Sequence, residues 1–468
     1  MPSTGNRFTL EAMLANRKQK RAADLLVRRP VQGGSLPLSF GQQRLWFLDQ
    51  LIPGSSEHVI SLGWRLHGEL NVDALVSAFS GLVARHEVLR TRFVLGDNFE
   101  TVQVLEEPWR VGIRVVDLSS VDDAVREARV HDVMDEESLA PFDLRSGRVL
   151  RVRLIRVAEF EHVLLACIHH IAADGWSVGV INNELSELYA GAVEGRAPVL
   201  PKLAVQYGDF AVWQRERLSG ALLDQQLGYW RGRLEGLKPL ELPADHPRPP
   251  QGTTRGDTVS FNIPEASVVA LRALAARKRA SLFMVMLAAF QAALSRWSGQ
   301  FDVSTGIAVA GRTRTEFEGI VGFFVNTLVI RTDTAGNPSF DELLNRVKGS
   351  TLDAFDHQDL PFERLVEELA PERDISRNPL IQTIFAFHNL PDRQGGSWPR
   401  LFVEEFGIPM HAATFDMTIN VNGQSDGSLA CNLVYASELF DRATMERMSG
   451  YLRNLIAKAV EDPESPVA

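Results

Sequence analysis

The spacing of apolar residues changes abruptly in the first half of the chain. Residues 163–168 form an uninterrupted apolar run that predicts a buried strand. Beyond them, apolar residues recur at helical spacing, which predicts a helix carrying Val178, Ile181, Leu185, Leu188 and Tyr189. The segment His169–Ser177 therefore joins the end of a buried strand to the start of a helix.

Similar patterns predict elements along the rest of the chain. Strands are predicted at 59–66, 150–154, 257–263, 383–388, 400–407, 415–422 and 428–435. Helices are predicted at 8–28, 72–85, 121–137, 265–279, 282–297 and 442–460. The pattern of strands and helices recurs before and after a proline-rich segment near 242–250, which is consistent with two similar lobes.

The residue types in His169–Ser177 suit acid–base chemistry. A helix start offers free N–H groups, and a neutral imidazole can take a proton from a nucleophile near neutral pH. Asp174 can hold the local geometry, and Gly175 lets the backbone approach a substrate closely. An ordinary turn with two histidines is the alternative, but two adjacent histidines followed by Asp-Gly favour a reactive site.

The composition narrows the class of protein. The 468 residues are 45% hydrophobic and 23% charged, which is typical of a soluble globular protein. A formal net charge of −10 argues against a general nucleic-acid role. The two cysteines, Cys167 and Cys431, favour neither a metal site nor a disulfide framework, so a cytoplasmic location is expected. The longest apolar stretch, Leu282 to Leu294, is too short to cross a membrane.

The segment His169–Ser177 resembles the HHxxxDG signature of the condensation domains of non-ribosomal peptide synthetases. These belong to a wider group of acyltransferases with a chloramphenicol-acetyltransferase-like fold. Six further segments resemble the other motifs of that family, in the family's order: 38–46, 85–93, 207–214, 319–327, 357–363 and 376–382. Each motif alone is weak evidence, whereas the ordered set is specific.

The resemblance implies an α/β fold with two chloramphenicol-acetyltransferase-like lobes in a V-shaped pseudo-dimer and an active site at the lobe interface. The expected organisation has three parts. They are an N-terminal helical extension at 1–34, an N-terminal lobe at 35–190 carrying HHxxxDG, and a C-terminal lobe at 191–468 with the proline-rich linker near 242–250. Either a free-standing enzyme or a domain from a larger protein is expected.

The resemblance also implies a reaction. An acyl or aminoacyl thioester arrives on the phosphopantetheine arm of a carrier protein, and an amine or hydroxyl attacks it to give an amide or ester. The acceptor is bound to a second carrier protein or is a free small molecule. No bound cofactor and no metal are expected, because the thioester is already activated; no nucleic acid and no membrane take part.

Within the motifs, the resemblance assigns roles to individual residues. His170 is the expected catalytic residue, and burial should keep its imidazole neutral. His169 is expected to support the turn, Asp174 to pair with Arg312 of the other lobe, and Gly175 to supply an oxyanion N–H. The residues expected to line the substrate tunnel are Trp176, Ser177, Phe324, Asn326 and Gln382.

The sequence leaves three alternatives open. A coenzyme-A-dependent acyltransferase of the same superfamily usually has a single motif histidine. An epimerization domain is expected to have Trp directly after the motif serine, where this chain has Val178. A non-catalytic, carrier-recruiting domain would retain carrier binding without turnover.

Overall fold

The computed structural model describes residues 34–250, 255–369, 376–388, 398–407 and 413–467, together with Leu26, Arg28 and Asp374. The helix expected at 8–28 and the extension expected at 1–34 lie almost entirely outside the described residues. Over the described ranges the chain is a mixed α/β protein, which confirms the predicted fold class.

The described ranges contain fourteen strands and eleven α-helices. The strands are β1 Leu36–Pro37, β2 Val59–Gly68, β3 Thr91–Leu95, β4 Thr101–Leu105, β5 Ile113–Asp117, β6 Leu150–Ala158, β7 Glu161–His169, β8 Gly256–Ile263, β9 Asp302–Val309, β10 Asn326–Asp333, β11 Thr383–His388, β12 Leu401–Glu405, β13 Met417–Gly423 and β14 Leu429–Ala436. The helices are α1 Phe40–Leu51, α2 Val72–Arg85, α3 Asp123–Leu139, α4 Gly175–Glu194, α5 Tyr207–Arg217, α6 Gly220–Leu234, α7 Glu265–Arg277, α8 Leu282–Ser298, α9 Phe340–Asp356, α10 Phe362–Leu369 and α11 Arg442–Glu461.

The first compact unit comprises the described parts of residues 1–224, 312–324 and 393–408. Its main sheet has the order β12-β2-β7-β6-β5, and a smaller sheet has the order β1-β4-β3. β7 is the central strand, and Val163 to Ile168 are at most 1% exposed. Such a strand, apolar on both faces, requires cover on both faces, and this explains its unbroken apolar sequence.

The second unit comprises the described parts of residues 225–311, 325–392 and 409–468. Its sheet has the order β10-β9-β11-β13-β14-β8. α8 contributes a nearly continuous buried surface from Met284 to Ser295, in agreement with its apolar sequence. Ser281 caps this helix by accepting a hydrogen bond from the N–H of Met284.

The two units repeat one strand arrangement. In the first unit β2 is antiparallel to β7, β7 is antiparallel to β6, and β6 is parallel to β5. The second unit repeats these pairings: β8 is antiparallel to β14, β14 is antiparallel to β13, and β13 is parallel to β11. The helices α2 and α4 follow β2 and β7, just as α7 and α11 follow β8 and β14. The prediction of two similar α/β lobes is confirmed.

The observed units differ from the expected division at residue 190. α5 belongs to the first unit, because the ring of Phe210 packs against those of Phe317 and Phe324. The proline-rich segment near 242–250 has no helix or strand, and it lies within the second unit. There Arg248 forms an ion pair with Asp416.

No single helix in the described ranges is both long and apolar enough to cross a membrane. The helices α7 and α8 pass the same test of length and composition only when taken together, and the chain bends by 102° between them.

Candidate active site

The site lies in the first unit, at the corner where β7 ends and α4 begins. β7 ends at His169, a short 3-10 turn covers His170–Ala172, and Asp174 is the N-cap of α4. The N–H of His170 donates to the carbonyl of His58 at 2.7 Å, which ties the turn to the chain just before β2. The predicted junction of strand and helix is therefore present.

The two adjacent histidines have opposite tautomers. Nδ1 of His170 lies 2.8 Å from the carbonyl oxygen of Ala173. A carbonyl can only accept, so this nitrogen carries the proton, and Nε2 of the neutral ring has a free lone pair. Nδ1 of His169 instead accepts a hydrogen bond from the N–H of Ile171 at 3.0 Å. In neutral His169 the proton is therefore on Nε2.

Burial keeps both imidazoles neutral. It lowers the pKa of His169 to about 3, with further lowering from His58 and His170. Burial also lowers the pKa of His170, against an opposing effect of the Asp174 carboxylate. The pKa of His58 falls to about 4, mainly through burial and then through His170 and Arg44. All three rings are accordingly uncharged at neutral pH.

His169 is enclosed, whereas His170 is half-buried. His169 is 3% exposed and meets the ring of Phe142 edge to face at 6.0 Å. The ring of His170 is perpendicular to that of Phe323, with 5.0 Å between the ring centroids. Within the part of the chain that the structure describes, Nε2 of His170 has no hydrogen-bond partner. Nε2 of His170 is therefore free to accept a hydrogen bond, whereas His169 is enclosed and bonded within the turn.

Asp174 is the most densely bonded side chain of the corner. Its Oδ1 accepts from the N–H of Ser177 at 2.8 Å, and the Ser177 hydroxyl lies 2.7 Å from the same oxygen. Its Oδ2 accepts from the N–H of Phe324 at 2.9 Å. Because these bonds use both carboxylate oxygens, Asp174 holds geometry and is not placed to transfer a proton.

Arg312 forms the expected ion pair with Asp174. Its Nη2 lies 3.0 Å from Oδ1 of Asp174, and both side chains are 2% exposed. Burial lowers the pKa of the guanidinium, while Asp174 raises it. Its carbon Cζ lies 4.1 Å from the ring centroid of Phe324. The arginine was expected from the other lobe, but residues 312–324 group with the first unit.

Other bonds hold the segment 312–324 against this corner. The indole N–H of Trp176 donates to the carbonyl of Glu318 at 2.9 Å. Nδ1 of buried His86 accepts from the N–H of Val321 at 3.3 Å, and its Nε2 lies 2.7 Å from Glu184. Sequence reasoning missed the part played by His86. Its position within the 85–93 motif was the available signal.

Two residues expected to line a tunnel, Asn326 and Gln382, lie in the second unit and have structural bonds there. Nδ2 of Asn326 donates to the carbonyls of Gln358 and Leu360, and its Oδ1 accepts from the N–H of Phe362. Gln382 is 2% exposed, and its Oε1 accepts from the N–H of Leu240. The structure thus assembles Trp176, Ser177 and Phe324 with His170, and uses the amides of Asn326 and Gln382 to hold loops.

Comparison with known proteins identifies the family. A family model described as the condensation domain matches residues 32–468. Malpinin synthetase of Mortierella alpina is 42% identical over 451 residues, which cover 96% of this chain and 6% of that protein. Chondramide synthase cmdD of Chondromyces crocatus is 40% identical over 428 residues, which cover 92% of this chain and 11% of that protein. The chain belongs to the condensation-domain family, and it spans only a small part of the length of these relatives.

Solved structures agree with this assignment. The X-domain from teicoplanin biosynthesis is similar with a TM-score of 0.85 and 27% identity, covering 95% of this chain and 98% of that chain. The SgcC5 protein from Streptomyces globisporus, in a complex with (R)-(-)-1-(2-naphthyl)-1,2-ethanediol and sucrose, has a TM-score of 0.76 and 28% identity. That match covers 92% of this chain and 100% of SgcC5.

Proposed function

We propose that the chain joins an acyl or aminoacyl thioester, carried on the phosphopantetheine arm of a carrier protein, to an amine or hydroxyl acceptor. The product is an amide or an ester. The observation that carries this proposal is the state of His170: its Nδ1–H is fixed by the Ala173 carbonyl, and Nε2 has a free lone pair. Membership of the condensation-domain family supports the same chemistry.

In the proposed reaction, Nε2 of His170 accepts or orients a proton of the attacking amine or hydroxyl. The new C–N or C–O bond forms at the thioester carbonyl, and the C–S bond breaks. The thiolate of the carrier's arm leaves and takes up the proton, so the histidine returns to its neutral state. N–H groups at the start of α4, including that of Gly175, stabilise the developing oxyanion.

Asp174 and Arg312 support the reaction without touching the reacting atoms. Their buried ion pair joins the first turn of α4 to residues 312–324. Breaking such a pair by removing one partner leaves an uncompensated buried charge. We therefore assign both residues to positioning.

Intact-mass analysis tests the proposed function. Carrier protein loaded with one acyl group is mixed with the chain and a panel of amines and alcohols, and the products are identified. The expected result is transfer by the wild-type chain and none by His170→Ala. The same acyl group on coenzyme A and on a truncated thiol should give a much lower kcat/KM, because contacts of the carrier contribute to positioning. Equal values for the three donors would favour the coenzyme-A-dependent alternative.

A recruiting domain without catalysis is the second candidate. It is favoured by the similarity to the teicoplanin X-domain, which has been solved in a complex with OxyB. The intact arrangement around His170 supports catalysis instead. A chain that binds a loaded carrier but transfers its acyl group to none of the acceptors would establish recruitment.

A further inference from the structure

Phe323 is the aromatic side chain that contacts the candidate catalytic histidine. Its ring lies nearly perpendicular to that of His170: the ring centroids are 5.0 Å apart and the angle between the ring planes is 80°. An aromatic ring in this position packs against the imidazole, whose Nδ1 is bonded to the Ala173 carbonyl and whose Nε2 keeps its lone pair. Phe323 forms part of the 319–327 motif, but sequence reasoning gave it no separate role.

The backbone of Phe323 is fixed on both sides. Its carbonyl accepts a hydrogen bond from the hydroxyl of Tyr207 at 2.6 Å, and that hydroxyl also lies 2.8 Å from Oγ of Ser39. The next N–H, that of Phe324, donates to Asp174 at 2.9 Å. The ring of Phe323 therefore extends from a backbone that the site itself holds.

The ring of Phe323 also lies against Gly41, near the start of α1. A Cβ atom built on Gly41 would lie 2.7 Å from Cε1 and 2.9 Å from Cδ1 of Phe323. Carbon atoms do not approach so closely, so a side chain at residue 41 would displace the ring. The absence of a side chain at Gly41 is thus what allows Phe323 to rest against His170.

We propose that Phe323 is a positioning residue that holds the imidazole of His170 in place and excludes water from one of its sides, and that Gly41 provides the space for it. This inference rests on the proposed function for its catalytic consequence. Its structural content, the packing of residue 323 on residue 170, can be measured without turnover.

Several titratable groups face the imidazole of His170, whereas Phe323 carries no charge. Asp174 faces the imidazole from the start of α4, His169 from β7, and His58 from the turn before β2. From the segment 312–324 the nearby charge is Arg312, which is paired with Asp174. Replacing Phe323 by an aliphatic residue therefore changes solvation of the imidazole and no formal charge.

The test follows the titration of His170 by NMR in chain labelled with ¹⁵N-histidine, with the resonance assigned through His170→Ala. Phe323→Ala admits water, so the midpoint should move up toward the ordinary histidine value. Phe323→Leu retains an apolar cover and should move it less. Gly41→Ala should move the midpoint of His170 in the same direction as Phe323→Ala, because the added methyl group displaces the ring of Phe323.

The double variant decides whether Gly41 acts through Phe323. In a Phe323→Ala background the new methyl at residue 41 has no ring to displace, so Gly41→Ala should cause no further change. Additive shifts would show that the two positions act independently. An unchanged midpoint in Phe323→Ala, in a variant whose melting shows it to be folded, would overturn the proposal.

Kinetics then connect the packing with catalysis. In the carrier-dependent assay, Phe323→Ala should lower kcat by about 10- to 100-fold with a smaller effect on KM, and should move the acid limb of the pH profile to higher pH. Gly232→Ala in α6 is the matched control for Gly41→Ala, since a Cβ at residue 232 meets no atom of the described chain within 4 Å. This control variant should keep the wild-type kcat. If the wild-type chain has no activity, the proposed function fails, while the NMR titration still decides the packing.

Discussion

Two corners of the molecule have the same order of strand, turn and helix but different chemistry. In the first unit β7 ends at His169, and Asp174 is the N-cap of α4 five residues later. In the second unit β14 ends at Ala436, and Asp441 is the N-cap of α11, again after five residues. The repeated fold therefore supplies a strand, a turn of fixed length and an N-cap aspartate in both places.

The difference lies in what covers each corner. The side chain of Asp174 is 2% exposed and is bonded to Ser177, Arg312 and the backbone of Phe324. The side chain of Asp441 is 62% exposed, makes no cap hydrogen bond and pairs with the exposed ring of His246. The comparison teaches that a strand-to-helix corner becomes a candidate active site when a returning segment buries it.

Position by position, His170 corresponds to Ser437. His170→Ala should remove most of the acyl-transfer activity, because a positioned general base contributes about 10²–10⁴-fold to the rate. Exchanging Ser437 for alanine should leave the rate unchanged. Steady-state kinetics with loaded carrier, together with thermal melting of both variants, make the measurement. A folded His170→Ala variant with the wild-type rate would refute the assignment.

The N-cap aspartates should differ in their effect on stability. Asp174→Ala leaves Arg312 buried without its partner and should lower the free energy of unfolding by about 3–5 kcal/mol. Asp441→Ala removes only an exposed pair and should cost about 0–1 kcal/mol. Denaturant unfolding of Asp174→Ala, Arg312→Ala and their double variant measures the coupling. Losses that simply add in the double variant would show that the two side chains do not interact.

The residues after the N-caps, Gly175 and Arg442, also differ. A Cβ on Gly175 would meet no atom of the described chain within 4 Å, and Arg442 shows that a side chain is accommodated at the equivalent position. Gly175→Ala should therefore fold normally but lose roughly 10- to 100-fold in kcat/KM, because the methyl occupies space that the substrate needs. Normal turnover by this variant would mean that the substrate does not approach the backbone there.

A further expected effect is on the pH dependence of stability. The pKa values of about 3 for His169 and about 4 for His58 lie below the ordinary value of 6.5. Between pH 6.5 and 4, His169 and His58 are protonated in the unfolded chain but neutral in the folded chain. The free energy of unfolding therefore falls as the pH is lowered. Each histidine contributes a slope of about 1.4 kcal/mol per pH unit in this window.

Urea unfolding at pH 7, 6 and 5 measures this slope. His169→Asn should reduce it, because one of the histidines with a lowered pKa is removed. Ser437→Ala, at the second corner, removes no titratable group and should leave the slope as it is in the wild type. Identical slopes in the wild type and His169→Asn would contradict the burial of a neutral His169.

Local patterns predicted several elements at their observed limits. The helix Val72–Arg85 and the strand Thr383–His388 have the predicted bounds, since period and flanking residues are local properties. The central strand and the start of α4 were likewise predicted from the apolar run before the histidines. The Asp174–Arg312 pair came from the family resemblance and is present in the structure.

Properties that depend on distant contacts could not be predicted from the pattern. The family resemblance placed Asn326, the first residue of β10, in the lining of the substrate tunnel. Its pairing with β9 depends on residues 302–309, which carried no assigned strand in the sequence. The packing of Phe323 against both Gly41 and His170 likewise joins residues that are far apart in the sequence, which no local period encodes.

The discontinuity of the first unit has a consequence for the growing polypeptide. β12 at Leu401–Glu405 pairs with β2 at Val59–Gly68, and Arg312 completes the ion pair of Asp174. At roughly 5–20 residues per second, about 10–40 s of translation separate residue 224 from residue 405. Throughout that interval β2 lacks its partner strand β12, and for the earlier part of it Asp174 lacks Arg312. The histidines are therefore translated well before Arg312, the residue that pairs with Asp174 and helps to bury their corner.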